Sequence, residues 1–296
     1  MISVIICSTN PDLLQQVSES IKQTIGTSYE ILVRDNRKKN EGICEVYNQL
    51  ALQAIYPYLC FVHEDVIFET TDWGNRALSV FKDFPATGLL GIAGCKYKSS
   101  FYSGWFSGIK AIDCANYIHQ YPTKEEKVCL SPEPGISIQE TVCIDGVFMF
   151  VSRNIWSAIK FNENALKGFH FYDIDFSLRA AKKCKVFVTY NILLRHITFG
   201  GDYSDNWMQT AIDYHKTVNH ELPFSTININ QRKADLQIIR NTLDSLKNYK
   251  IRIENKFNWV ISQKLYLYPS VYYSVLKFFL YQPLGLKRIH QLLKSK

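Results

Sequence analysis

Three short segments of the sequence carry residue types able to do chemistry on a charged ligand. The apolar run Leu59-Cys60-Phe61-Val62 stops abruptly at His63, Glu64 and Asp65, three potential metal ligands in a row. Burying carboxylates there without a partner is expensive. Hard divalent cations such as Mg²⁺ or Mn²⁺ prefer oxygen ligands, are often held by one or two carboxylates, and complete their shell with phosphate oxygens and water. Asp65 is therefore the expected ligand, with Glu64 and His63 secondary; a solvated strand-end turn is the alternative. The second segment, Gly168 to Arg179, opens a helix with Asp173 and Asp175 on its first turn. Carboxylates there serve as caps and favour the helix dipole. One that faced a ligand cleft could instead take a proton from an attacking hydroxyl. The third, Leu193-Leu194-Arg195-His196, ends another apolar run, and Gly200-Gly201 beyond it allow close backbone approach to a ligand. A lone histidine at a strand end reads as structural, but beside a metal site His196 becomes a candidate partner, because imidazole suits Mn²⁺.

The elements that must position these groups follow from periodicity. Ile2 to Cys7 is a short β-branched run leading into Ser8-Thr9-Asn10-Pro11, and reads as a buried strand that delivers its C-terminal end into a loop. Asp12 to Thr24 places Leu13, Leu14, Val17 and Ile21 at helical spacing, closed by Gly26. A strand over Glu30 to Val33, a helix from Cys44 to Ala54 stopped by Pro57, and the strand Leu59 to Val62 come next. That alternation predicts an α/β fold, a mostly parallel central sheet flanked by helices with right-handed crossovers. Ligands in such sheets bind at the carboxyl ends of the strands, here Ser8 to Asn10, Asp35 with Asn36, and His63 to Asp65. Further on, the pattern predicts a helix from Asp72 to Phe84, a strand from Leu89 to Ala93, a loop from Tyr121 to Ser137, and one strand from Thr141 to Val151. A short helix near Trp156, a helix ending at about Lys183 and two strands reaching His196 complete the domain, expected to span 1–230.

From Gln231 the pattern is helical and basic, so 231–296 is expected to be a separate C-terminal region. It carries thirteen basic and three acidic residues, a net +10 in a chain whose total is +7. Such a tail could meet nucleic acid, an acidic substrate or an anionic membrane face. Between Trp259 and Leu286 its basic residues are interleaved with tyrosine, phenylalanine and leucine, a mixture suited to the headgroup zone of a bilayer. No nucleic-acid motif accompanies it, so the expected surface partner is the membrane, with a helical cap or a homodimer contact as the alternative. No run reaches the ~18 apolar residues of a spanning helix, because Pro269, Lys277 and Pro283 interrupt the one candidate. The first residues lack the pattern of a secretory signal. Together these give a cytoplasmic protein, peripheral on the inner membrane face. The eight cysteines contain no C-x-x-C pair and read as reduced structural thiols.

The order of these segments resembles the family 2 glycosyltransferases of the nucleotide-sugar-binding GT-A fold, especially the bacterial rhamnosyltransferase-like members that build surface polysaccharides. The resemblance runs from Ile2 to Gly201. Val4 to Asn10 resembles the family's first strand and loop, and Val33-Arg34-Asp35-Asn36 its second strand, whose aspartate contacts the base. Asn40-Glu41-Gly42 and Tyr47-Asn48 match the glycine and asparagine around the next helix. His63-Glu64-Asp65 falls where the family carries its D-x-D metal motif, with Asp65 on the final aspartate and His63 departing from the first. Asp145-Gly146 resembles the acceptor-side D-G element. Tyr172 to Arg179 is similar to the segment that begins E-D, which puts Asp173 on the catalytic base, Tyr172 in place of the glutamate, and Asp175 in reserve. His196 with Gly200-Gly201 resembles the late histidine and glycine pair near the diphosphate.

The resemblance implies an inverting transfer of a sugar from a nucleotide-diphosphate donor to a hydroxyl of a glycan or lipid-linked acceptor. It implies a divalent cation, Mn²⁺ or Mg²⁺, on Asp65 and His196. Ser8, Thr9, Asn10, Asp35, Asn36, Asn48, His63 and Glu64 then line the nucleotide side. Asp145, Gly146 and Trp105, the last in the glycine- and aromatic-rich stretch from Tyr97 to Gly108, line the acceptor or sugar side. A nucleotidyltransferase would need a glycine-rich basic loop after the first strand, which Ser8-Thr9-Asn10-Pro11 lacks. A catalytically silent nucleotide- or glycan-binding relative is the alternative, suggested by Tyr172.

Overall fold

The computed structural model describes residues 1–121, 123–132, 135–198, 203–218 and 221–281. Its first elements are β1 (Ile2–Ser8), α1 (Pro11–Thr24), β2 (Tyr29–Asp35), α2 (Ile43–Gln53) and β3 (Tyr58–Val62). Each lies within a few residues of the element that the sequence pattern predicts. There follow β4 (Val66–Phe68), α3 (Trp73–Asp83), β5 (Thr87–Gly91), β6 (Ala93–Cys95), β7 (Tyr97–Lys98), β8 (Asp113–Gln120), β9 (Glu126–Leu130), β10 (Ile138–Thr141), β11 (Cys143–Ile144) and β12 (Phe148–Ser152). Next come α4 (Arg153–Ile159), α5 (Tyr172–Ala181), β13 (Lys185–Thr189), β14 (Leu194–Ile197), α6 (Asp205–Val218), α7 (Gln231–Leu246), α8 (Ile253–Ser262) and α9 (Tyr272–Leu280).

A seven-stranded sheet in the order β10-β13-β5-β12-β3-β1-β2 forms the core. It is mixed where a mostly parallel sheet was expected. The pairs β1/β2, β1/β3 and β5/β13 are parallel, while β12 enters antiparallel between β3 and β5, and β10 runs antiparallel to β13. Helices cover it, and Val4, Ile5, Phe61, Val62, Phe148 and Phe150 are fully buried. Truncating one of these phenylalanines to alanine removes about 3–5 kcal/mol of stability. A second sheet, β11-β6-β8-β14-β4, carries β9 on β8.

Two expectations are corrected. Residues 126–130, read as loop, form β9, an antiparallel partner of β8. Glu126, Lys127, Val128 and Leu130 are all exposed, so this edge strand lacks the alternation that marks a half-buried one. The single strand expected over Thr141 to Val151 is three short ones, because Asp145 folds the chain over with its Oδ1 accepting the Val147 N–H at 2.8 Å.

The described residues fall into two compact units. Met1–Lys98, Lys110–Gly200 and Ser225–Ile227 make the first; Ser99–Ile109, Gly201–Phe224 and Asn228–Lys296 make the second. In the second, Asn230 caps α7 by accepting from Lys233 N at 3.0 Å, and Ser99 donates to Asp235 at 2.5 Å. The Lys256 ammonium is buried and donates to Phe278 O at 2.7 Å, near the C-terminal end of α9 where the helix dipole favours a cation. Among the described residues no helix is long and apolar enough to cross a membrane, and all eight cysteines are free thiols.

Candidate active site

The chain leaves the large sheet at Val62 and enters the second sheet at Val66, so His63, Glu64 and Asp65 sit at the junction of the two. Strand β14 pairs with β4 and sets His196 opposite Val66. Ile197 N–H donates to Asp65 O at 2.8 Å, which locks that register. The outcome is a cluster in which one donor atom each of His63, Asp65 and His196 lies within 4.8 Å of the others. Asp65 Oδ1 is 3.2 Å from His196 Nε2 and 4.0 Å from His63 Nδ1. Burial alone would raise the Asp65 carboxyl, but the hydrogen bond from His196 and the charge of that imidazole hold it below its ordinary pKa. Burial opposes protonation of His196, and the bond and charge of Asp65 outweigh it, so that pKa rises. His63 goes the other way, driven down by burial.

Glu64 faces away from this cluster and into the loop after β1. Its carboxylate accepts from Ser8 Oγ at 2.6 Å, Thr9 Oγ1 at 2.9 Å, Thr9 N at 3.1 Å and Asn10 N at 3.0 Å. Asn10 in turn caps α1, its Oδ1 accepting from Asp12 N at 3.0 Å and Leu13 N at 3.4 Å, with Pro11 in the first turn. The group expected beside the nucleotide thus holds the shape of the loop expected to bind it.

Tyr172 connects the cluster to α5. Its hydroxyl lies 2.7 Å from His63 Nε2, and its buried ring packs edge-on to Tyr47 at 5.8 Å. A Cβ on Gly146 would stand 2.0 Å from that hydroxyl, so only glycine fits where the Asp145 turn passes Tyr172. Asp173 follows. Half-buried, it accepts from Gly146 N at 3.2 Å and Ile174 N at 2.9 Å. Burial, with the Asp145 carboxylate nearby, pushes its pKa up to about 7, the range suited to a general base near neutral pH. Asp145 also acts electrostatically on His63 and His196, which marks it as a neighbour of both groups. Phe169, 53% exposed, stands against His63 at 5.6 Å.

The remaining predicted residues are engaged differently. Asp175 is buried and ion-paired to Arg179 at 2.6 Å, and Arg179 also donates to Ile159 O and Lys160 O. Asn48, 7% exposed, donates to Phe161 O and Glu163 and accepts from Phe161 N, joining α2 to the segment after α4. Asp35 ends β2 in solvent, where the Arg37 guanidinium hydrogen-bonds it and holds its pKa down at about 2. Asn36 closes the following loop by exchanging two bonds with the Glu41 backbone, both 2.9 Å. Trp105 belongs to the second unit and packs edge-on to Phe106 at 5.6 Å. Gly200 and Gly201 lie outside the described residues.

A family model described as a glycosyltransferase-like family matches residues 3–217. The chain belongs to that glycosyltransferase-like family. It is accordingly a transferase enzyme with a GT-A-type α/β fold. Among solved structures, S. aureus TarS 1–349 in complex with UDP is similar at 12% identity and TM-score 0.51, over 94% of this chain and 88% of that one. GalNAc-T7 with UDP, GalNAc and Mn²⁺ is similar at 9% identity and TM-score 0.50, over 80% of this chain. This glycosyltransferase-family chain spans about half of the GalNAc-T7 structure, 54%. No curated protein matches the sequence.

The His63, Asp65 and His196 donor set fits a divalent cation. Ligands on opposite sides of an ion with bonds of ~2.1 Å are about 4.2 Å apart, so a spread within 4.8 Å needs only a small closure. Two imidazoles with one carboxylate make a mixed nitrogen and oxygen donor set. Two features of this glycosyltransferase-family site were missed by sequence reasoning. Tyr172 counted only as a missing glutamate, and its bond to His63 has no local signal, because 109 residues separate them. His119 was not considered. The β8/β14 register sets it opposite His196, with the rings 6.4 Å apart, and only strand pairing reveals that.

Proposed function

We propose that the chain is an inverting, metal-dependent glycosyltransferase using a nucleotide-diphosphate sugar. The observation that carries this is the His63, Asp65 and His196 cluster, joined through Tyr172 to a half-buried carboxylate with a pKa of about 7. When bound, a divalent cation supplies charge neutralisation for the leaving diphosphate. Asp65, His63 and His196 would hold it. Asp173 takes the proton from the acceptor hydroxyl as that oxygen attacks the anomeric carbon from the face opposite the diphosphate, so one displacement inverts configuration. The Gly146 N–H orients the Asp173 carboxylate, and Asp175 with Arg179 anchors the helix that presents it. The loop from Ser8 to Asn10, braced by Glu64, and the β2 end at Asp35 line the nucleotide side. Asp145 with Gly146 lines the acceptor side.

The basic aromatic surface of α8 and α9 supports docking on the anionic inner face of a bacterial membrane, where a lipid-linked acceptor for surface polysaccharide synthesis resides. A thermal-shift screen of UDP-, GDP- and dTDP-sugars with Mn²⁺ identifies the donor, since a ligand of the folded state raises its melting point. With that donor, Asp173→Asn abolishes turnover and leaves donor affinity within a few-fold. Full turnover in the variant removes Asp173 from the role; donor binding with no transfer in the wild type, given acceptor, makes the protein a silent binder.

A further inference from the structure

A groove of about 500 Å³ opens in the second unit between α8, the 3₁₀ turn at Leu265–Leu267 and α9. Val260, Leu265, Tyr272, Val275, Leu276 and Phe279 form its walls. Tyr273, which also lines it, is 69% exposed, Leu276 is 54% exposed and the neighbouring Leu280 is 71% exposed. Exposed large apolar side chains gathered around one groove mark a place of contact with something else. Its charge says what. From residue 247 to residue 281 the chain carries six basic side chains against Glu254 alone; Lys247 is paired with Asp244, Arg252 with Asp205 and the Lys256 ammonium is buried, which leaves Lys250, Lys264 and Lys277 as the remaining exposed positive charges. Lys264 and Lys277 each adjoin a wall residue, and the Lys277 ammonium sits 4.2 Å above the Tyr273 ring. Exposed tyrosines and lysines around an apolar face are the composition of a bilayer interface, the rings at headgroup level and the ammoniums toward phosphate. A second copy of the chain would set this basic surface against itself across a two-fold axis, and like charges at close range repel.

We propose that the groove takes a hydrocarbon chain of an anionic bilayer lipid, with Lys264 and Lys277 contacting the headgroup phosphate. The proposal rests on the membrane docking put forward above and adds the site that performs it. The groove lies in the size range of built ligand sites, about 300–1,000 Å³. The lipid chain itself already lies in hydrocarbon, so the gain comes from taking the exposed apolar walls of the groove out of water. Held in this way, the enzyme has a reason to stay on the surface that carries its acceptor.

The test uses the full-length protein with vesicles of phosphatidylcholine, with and without phosphatidylglycerol bearing a diazirine near the end of one acyl chain. Expected are co-sedimentation with the phosphatidylglycerol vesicles and, after irradiation, adducts on Tyr272, Leu276 or Phe279. Leu276→Glu, at an exposed position, is expected to lower partitioning by about tenfold or more and to remove those adducts. Its melting temperature and nucleotide binding should stay unchanged. Adducts confined to other residues while vesicle binding persists overturn the groove and leave the docking intact. Binding to neither vesicle overturns both. Concentration-dependent dimers in light scattering that Leu276→Glu disperses assign the groove to a second copy and overturn the lipid.

Discussion

Replacing Asp173 by asparagine gives a pH-dependent stability change that can be worked out from the site. The Asp173 pKa stands at about 7 against an ordinary 3.8. A raised carboxyl favours the protonated folded state, so wild-type stability from this group is greatest below about pH 4. It declines as pH climbs toward 7, and is flat above. At 1.36 kcal/mol for each pKa unit, the full penalty above pH 8 is about 4 kcal/mol. The asparagine variant carries no such penalty. It loses one of the two backbone hydrogen bonds that Asp173 accepts, which costs about 1 kcal/mol at every pH. The variant should therefore be within about 1 kcal/mol of wild type at pH 5, and more stable by about 3 kcal/mol at pH 8. At roughly 2 °C per kcal/mol for a chain of this size, the melting-temperature difference should swing by about 5 °C in favour of Asp173→Asn between those pH values. Differential scanning fluorimetry with EDTA, at constant ionic strength, reads this directly. A difference that does not change with pH would refute the raised carboxyl and, with it, the reason for choosing Asp173 as the base.

Other consequences follow from the same contacts. Glu64→Gln weakens the clamp on Ser8, Thr9 and Asn10, and should cost about 2–3 kcal/mol in urea unfolding while lowering nucleotide affinity through a loosened loop; unchanged stability would mean the clamp is unimportant. Gly146→Ala forces a methyl into Tyr172 and should destabilise by about 2 kcal/mol or more, with Tyr172→Ala relieving much of that in a double-mutant cycle; additive effects would contradict the packing. Because the raised His196 holds its proton against Asp65, a cation must displace that proton. Mn²⁺ affinity should then weaken as pH falls through the His196 pKa, and calorimetry in buffers of different ionisation heat should show proton release.

What the sequence made legible was local. The run from β1 to β3 could be read because its apolar runs and helix periodicities are undisturbed, and the strand ends at Asp65 and His196 stood out because polar groups follow buried runs there. The antiparallel entry of β12 could not be read, since pairing direction leaves no mark on an all-apolar strand such as Phe148 to Val151. Nor could the fate of three acceptor-bearing residues. Glu64, Asn48 and Asp175 look like ligand-facing groups in a line of sequence, yet backbone amides, the Phe161 peptide and Arg179 take them up. For Glu64 and Asn48 the partners lie more than 50 residues away in sequence, as Thr9 does from Glu64, while Asp175 meets Arg179 one turn along the same helix.

At the centre of the proposed mechanism is a divalent cation that Asp65, His63 and His196 would hold and that would supply charge neutralisation for the donor diphosphate. Calorimetric titration of Mn²⁺ into the wild type and Asp65→Ala, each with UDP or GDP present, tests this most directly. The expected result is one Mn²⁺ site in the wild type, with nucleotide binding that EDTA removes, and a loss of about tenfold or more in Mn²⁺ affinity on Asp65→Ala. Equal Mn²⁺ affinity in the two proteins, or nucleotide binding indifferent to EDTA, would contradict it.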